Sequence, residues 1–379
     1  MKVISTMLLM ACVCLYANAQ QQKKAPNIFI ITTDGLRWQE VFEGANANLV
    51  NNKMYVEDTS LLQQLYNDSS TEKRREKLMP FFWNVIAKQG VLYGNRHYNN
   101  KVDVRNIYKF SYPGYNEIFT GYADRRFTPN SPVLNRNRNV LEHLNSSSDY
   151  KGSVVAFSSW NIFPYILNEP RSNFSVNSGY EILPEEDSAN ITLNNVQDYV
   201  KHKTHTRYDL LTCFAAKEYI AAHHPKVVAI GLGETDKFAH EGRYDKYLMH
   251  INNVDKMIAE LWYYVQTDPF YKNNTTFIIT TDHGRGRRTN SWYKHHLFVK
   301  GSGEVWMAML GPGISPAGEM KDDKKIYLNQ VAATVSFLTG QSFEKEAGHS
   351  IGGALPVQAA PALNLPVAQP AIAGKAALK

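Results

Sequence analysis

Asp34, Ser111, Asp236, His240, Asp282 and His283 are the residues whose types and spacing could do chemistry together. Each carboxylate closes an apolar run. Asn27 to Thr33 ends at Asp34-Gly35, Val227 to Leu232 leads into Gly233-Glu234-Thr235-Asp236, and Thr275 to Thr281 leads into Asp282-His283-Gly284. Carboxylate oxygens and imidazole nitrogens presented at rigid strand ends suit zinc, manganese or iron. Singly, each has a plainer explanation: an Asp after a strand is commonly a turn or capping residue, and Asp236 with His240 four residues on also fits a solvated pair on one helical face. Ser111 heads the run Ser111-Tyr112-Pro113-Gly114-Tyr115-Asn116-Glu117-Ile118-Phe119-Thr120-Gly121, a helix pattern with proline in its first turn. That position suits an N-cap. It also suits a nucleophile, because a helix N-terminus and a neighbouring cation both lower the cost of a serine alkoxide.

The elements that must hold these residues follow from patterning. The three apolar, β-branched runs predict buried parallel strands, each delivering its carboxylate at the C-terminal edge. Ser153 to Phe157 and Glu304 to Leu310 are further strands. Helical patterns cover Pro80 to Gln89, Pro113 to Gly121, Tyr208 to Ala222, Tyr244 to Val265 and Leu328 to Leu338. In the fourth, Tyr247, Leu248, Ile251, Val254, Ile258, Leu261 and Val265 form one apolar face that should lie on the sheet. The alternation predicts an α/β fold: a mostly parallel central sheet with helices on both faces and ligands at the carboxyl ends of its strands. Polar Asn46 to Lys77 and the Asn-, Ser- and Pro-rich stretch Trp160 to Arg207 interrupt the rhythm, as candidate cap insertions walling a cleft. Surface loops are the alternative, stronger for the first.

At 379 residues the chain can form one large α/β domain or two ordinary ones. The net charge of +6 is spread along the chain without a long basic arm. This favours small anionic substrates slightly and gives no sign of nucleic-acid polymer binding. Lys2, the apolar run Val3 to Tyr16 and Ala17-Asn18-Ala19 read as a signal peptide over residues 1–19, so the mature protein is expected in the periplasm or outside the cell. The apolar run is shorter than the about 20 residues a membrane anchor needs. Leu9-Met10-Ala11-Cys12 offers a second possibility, a lipid-bearing Cys12. After cleavage at Ala19 only Cys213 remains, so no internal disulfide is expected. The Ala/Pro-rich residues 355–379 are expected to be disordered.

Strand-Asp, then Ser-x-Pro leading to Thr120-Gly121, then Asp-x-x-x-His, then Asp-His-Gly: this order resembles the alkaline phosphatase superfamily, over Asn27 to about Gly313. The branch it looks most like is the type I phosphodiesterase/nucleotide pyrophosphatase-like one, where a threonine takes the position of Ser111. The stretches Asp34-Gly35-Leu36-Arg37-Trp38-Gln39-Glu40 and Thr281-Asp282-His283-Gly284-Arg285-Gly286 also look like an exported bacterial subgroup. The resemblance implies one catalytic domain over residues 25–354 and two divalent metal ions, zinc or alternatively manganese. Asp34, Ser111, Asp282 and His283 would surround one; Asp236, His240 and a third histidine would hold the other. In the mutase branches that histidine follows Asp-His-Gly closely, which selects His295 or His296. In the phosphatase and phosphodiesterase branches it comes much later, which selects His349. His295 is preferred, because Gly301 to Gly313 reads like the strand that follows this ligand in the mutases.

The implied activity is hydrolysis of a small phosphate mono- or diester through a phosphoserine at Ser111, with the attacking and leaving oxygens clamped by metals about 4 Å apart. Asn116 and Lys109 are candidates for binding a non-bridging oxygen, and Arg285, Arg287 and Arg288 for receiving an anionic leaving group. A sulfatase is the alternative within the superfamily. Its activation motif usually has an arginine two residues after the proline, where this chain has Tyr115, and its usual single calcium suits His240 and His283 poorly. A phosphomutase would return the group to substrates that are mainly intracellular. A non-catalytic binding protein would be expected to have lost a ligand or Ser111.

Overall fold

The computed structural model describes residues 25–126, 129–184 and 188–358, which form one unit. The expected signal peptide, Cys12 and most of the expected disordered tail lie outside the described residues. Residues 355–358 do not fit that tail: Leu355 is only 3% exposed, and its N–H donates to Thr334 Oγ1 at 3.0 Å. An apolar side chain with a core niche extends the domain past residue 354.

The strands in chain order are β1 (Asn27–Thr33), β2 (Gly90–Tyr93), β3 (Asn100–Asp103), β4 (Val154–Ser158), β5 (Val176–Ser178), β6 (Val227–Leu232), β7 (Thr275–Thr280), β8 (Glu304–Val305), β9 (Met307–Leu310), β10 (Gly318–Glu319) and β11 (Lys324–Tyr327). Eight make the central sheet in the order β10-β2-β9-β7-β1-β6-β4-β5, and β11-β3-β8 make a small second sheet. In the central sheet only β9 runs against its neighbours, β2 and β7. The mostly parallel sheet is therefore present.

The register places the site. β1 lies between β7 and β6, with Thr33 opposite Leu232 and Thr32 opposite Thr280. The chain continuations Asp34, Gly233 to Asp236, and Thr281 to His283 thus emerge side by side at one edge. Alternate residues of these strands feed two cores: Phe29, Ile31, Val228, Ile230, Phe277 and Ile279 face Tyr247, Leu248 and Ile251 of the helix Tyr244–Thr267, while Ile28, Ile30, Ala229 and Ile278 face Tyr112, Ile118 and Phe119 of the helix Ser111–Thr120. A strand buried on both faces must be apolar at every position, which is why these runs show no alternation.

Two expectations change. Glu304 to Leu310 is two strands: β8 joins β3 and β9 joins the central sheet, with the chain switching at Trp306, whose buried indole donates to Leu36 O at 2.9 Å. The stretches taken as interruptions are built into the body. Asn46 to Lys77 contains the helices Ala47–Val50 and Thr59–Tyr66 and all but the last residue of Thr71–Leu78, and buries Leu49, Val50, Tyr55, Leu62 and Tyr66. Trp160 to Arg207 supplies the edge strand β5. Phe163, Ile166, Leu167 and Val176 of this second stretch are buried in the core, so a polar composition concealed packed elements.

Candidate metal centre

Asp34 is 4% exposed, and its N–H continues the β1–β6 ladder to Leu232 O at 2.8 Å. Gly35 follows with φ +60°, and its N–H donates to Asp282 Oδ1 at 3.0 Å. A Cβ here would lie 2.6 Å from Arg285 Nη2, so both the left-handed turn and the closeness of the guanidinium require glycine.

Ser111 is the first residue of its ten-residue helix, with Phe110 at the cap position, and no side chain of its own run caps it. Asn130 does that work instead, its Oδ1 accepting from Tyr112 N at 2.9 Å. The serine hydroxyl is left to face the strand edge, 3.5 Å from Asp34 Oδ1 and 3.3 Å from His283 Nε2. Gly114 permits this approach: a Cβ there would sit 2.2 Å from the Asp282 carbonyl oxygen.

Around Ser111 the ligand types converge. His283 Nδ1 lies 3.0 Å from Gly284 O, which can only accept, so the Nε2 lone pair points into the site. Nε2 is 3.3 Å from Asp34 Oδ1, 3.5 Å from Asp282 Oδ2 and 3.7 Å from Asp236 Oδ1. Asp282 is fully buried and its Oδ2 has no hydrogen-bond partner. A buried carboxylate oxygen without a donor, beside an imidazole lone pair, fits a cation. In the second group, His240 Nε2 lies 3.3 Å from Asp236 Oδ2 and 3.0 Å from His295 Nε2. His295 Nδ1 is 3.0 Å from Lys109 O, which likewise turns its Nε2 lone pair inward. Within Asp34–Asp236–His283 and within Asp236–His240–His295, one ligand atom per residue can be chosen so that all lie within 4.8 Å of one another.

Electrostatics agree with this donor set. Burial raises the Asp282 carboxyl, and Asp34 raises it further. Burial alone would lower His283, but Asp282 and Asp34 outweigh it and push the imidazole up to about 9. His295 is held well below the usual histidine value by burial, then by His283 and Arg285. Protons and a divalent cation compete for these lone pairs.

Other candidates fall elsewhere. His349 Nε2 approaches Thr120 O at 3.1 Å, at the far end of the serine helix, about 13 Å along its axis from Ser111. His296 Nδ1 accepts from Phe298 N at 3.1 Å, inside its own loop. Asn116 is turned away from Ser111: it donates to Tyr122 O at 2.7 Å and accepts from Asn135 and Asn137. Lys109 meets the site through its carbonyl, while its side chain runs along Gly303. Arg285 is buried in an ion pair with Asp236 and donates to Gly35 O and Tyr293 O at 3.0 and 2.8 Å, so it orients Asp236 and is not free to receive a leaving group. Arg287 is paired with Glu304, and Arg288 is exposed.

Three supporting contacts escaped the sequence. Tyr115 OH lies 3.4 Å from Asp34 Oδ2, Thr235 Oγ1 donates to Asp34 O at 2.5 Å, and Lys109 O orients His295. Tyr115 stands four residues after Ser111, the spacing that shares a helix face, and this was the one available signal.

The family model described as Metalloenzyme superfamily matches residues 171–335, which contain Asp236, His240, Asp282, His283 and His295. A sequence comparison with curated proteins finds no match. Among solved structures, the chain is similar to a protein in the alkaline phosphatase superfamily from Vibrio parahaemolyticus, with TM-score 0.51 and 10% identity over 84% of this chain and 67% of that one. It is similar to wild-type alkaline phosphatase PafA, with TM-score 0.53 and 10% identity over 84% of this chain and 96% of that one. A 2-O GAG sulfatase gives TM-score 0.52 and 15% identity over 88% and 76%. The likeness to these solved structures shows that the chain has the alkaline phosphatase-like fold. Phosphatase and sulfatase share that fold, so the likeness leaves the branch open.

Proposed function

We propose that the chain is a metal-dependent hydrolase of phosphate mono- or diesters with Ser111 as nucleophile. The observation that carries this reading is the Ser111 hydroxyl itself: released from capping by Asn130, it lies within 3.5 Å of both Asp34 Oδ1 and His283 Nε2. Divalent cations, zinc or manganese, held by Asp34, Ser111, Asp282 and His283 and by Asp236, His240 and His295, would supply Lewis acidity that favours the alkoxide and offsets phosphoryl charge.

The remaining steps belong to the chain. Ser111 Oγ passes its proton to solvent and bonds to phosphorus as the P–O bond to the leaving group breaks, and the leaving oxygen departs as an alkoxide that takes a proton from solvent. Water then cleaves the phosphoserine and the hydroxyl is restored. Tyr115 keeps its proton, because burial and then Asp34 raise its phenol, so it stays a donor to Asp34. His240, 52% exposed, is the most open of the ligand side chains and marks the side from which substrate enters. Export of the mature enzyme through residues 1–19 belongs to the same reading.

Metal analysis followed by turnover of matched aryl phosphate monoester, diester and sulfate substrates tests it. Phosphate ester turnover that disappears in Ser111→Ala supports the proposal. Turnover of the sulfate alone, or of none by metal-loaded protein, contradicts it.

A further inference from the structure

The helix Glu234–His240 has partners on both faces. Two positions along a helix turn it by roughly 200°, so Glu234 and Phe238 point away from Asp236 and His240. Glu234 and Phe238 line a cavity of about 570 Å³ behind the helix, with His250 and apolar side chains such as Leu210 and Met249. That cavity lacks Ser111 and every proposed ligand, but its lining residues Glu234 and His250 also belong to a buried group with Asp209.

Asp209 is completely buried and ties several elements together. Its Oδ1 accepts from Gly233 N at 2.8 Å and from Ser159 Oγ, just past the end of β4. Its Oδ2 accepts from Glu234 N at 3.1 Å and from His250 Nε2 at 2.7 Å. Asp209 N returns a bond to Glu234 Oε2 at 2.8 Å. The seven-residue helix has no side-chain cap from its own run, and Asp209 supplies one from outside. Two carboxylate oxygens on two consecutive N–H groups fix the direction of a first turn as well as its position. His250 lies on the long helix Tyr244–Thr267, so the contact anchors the short helix to the scaffold. Asp236 stands in that same first turn.

We propose that Asp209 and His250 form a latch that sets the placement of Asp236 and His240, and are positioning residues for the cation those two share with His295. The proposal rests on reading these three residues as metal ligands. Support of this kind around a ligand is worth about 10–100-fold in metal affinity.

The test is a two-site titration with Zn²⁺ alone, with anomalous diffraction locating each ion, on the full chain and on Asp209→Asn, His250→Leu and His250→Gln. Affinity at Asp236–His240–His295 should fall about 10–100-fold in Asp209→Asn and His250→Leu, while the Asp34–Asp282–His283 position stays within about threefold. His250→Gln keeps an N–H donor at the place of Nε2 and should recover most of the loss. If Asp209→Asn does not fold, the His250 pair alone decides. Equal weakening of both positions, or a lower Tm with both affinities unchanged, overturns the latch while leaving the metal reading intact. Wild-type protein with no ion at Asp236 overturns both.

Discussion

The imidazoles of His283 and His295 are stacked, with ring centroids 3.8 Å apart and planes 9° from parallel. The two candidate ligand groups therefore share a wall, and each ring is oriented by a backbone carbonyl on its outer nitrogen, Gly284 O for one and Lys109 O for the other. His295→Ala should remove one cation per chain and lower turnover at least about 100-fold. His349→Ala, at the far end of the serine helix, should leave metal content unchanged and turnover within about twofold. Metal analysis and steady-state rates on the two variants check this, and the opposite pattern would reassign the ligand.

Metal loading should depend on pH in a stated direction. His283 has its folded value, about 9, above its ordinary value of 6.5, so the stability its charge contributes is complete below about 6.5 and is lost as pH rises through about 9. Asp282 is raised too, and its protonated form likewise loses its advantage with rising pH. A cation needs both groups deprotonated. The increase in Tm on adding Mn²⁺ should therefore grow between about pH 6.5 and about pH 9. Melting with and without Mn²⁺ across that window checks it, and a constant or shrinking increase would count against these two residues as ligands.

Asn130 should matter to catalysis without touching substrate. Asn130→Ala leaves Tyr112 N without its acceptor, a cost of about 1 kcal/mol, and frees Ser111 to turn back as a local cap. The expected result is a modest drop in Tm with a larger fall in kcat than in metal affinity. Unfolding curves and rates measured on the same variant separate the two effects.

The motif-bearing strands were legible because β1, β6 and β7 are buried on both faces and so are continuous apolar runs. The serine helix was legible from its proline and from Gly121, which closes it at φ +70°. What escaped depends on contacts distant in sequence. β2, β3 and the edge strand β5 are too short for a pattern, and the switch at Trp306 depends on its contact with Leu36 O. The same holds within the site. Asn116 sits near Ser111 in sequence, but its position on the helix turns it toward Asn135 and Asn137. Arg285 could be assigned a partner only once Asp236 was placed beside it.

The most direct test of the central claim is mass spectrometry of the full chain, loaded with metal, mixed with an aryl phosphate and quenched in acid within a turnover. The expected result is a single phosphoryl group on Ser111 that is absent from Ser111→Ala. Turnover without any adduct, with Ser111→Ala as active as the wild type, would contradict it.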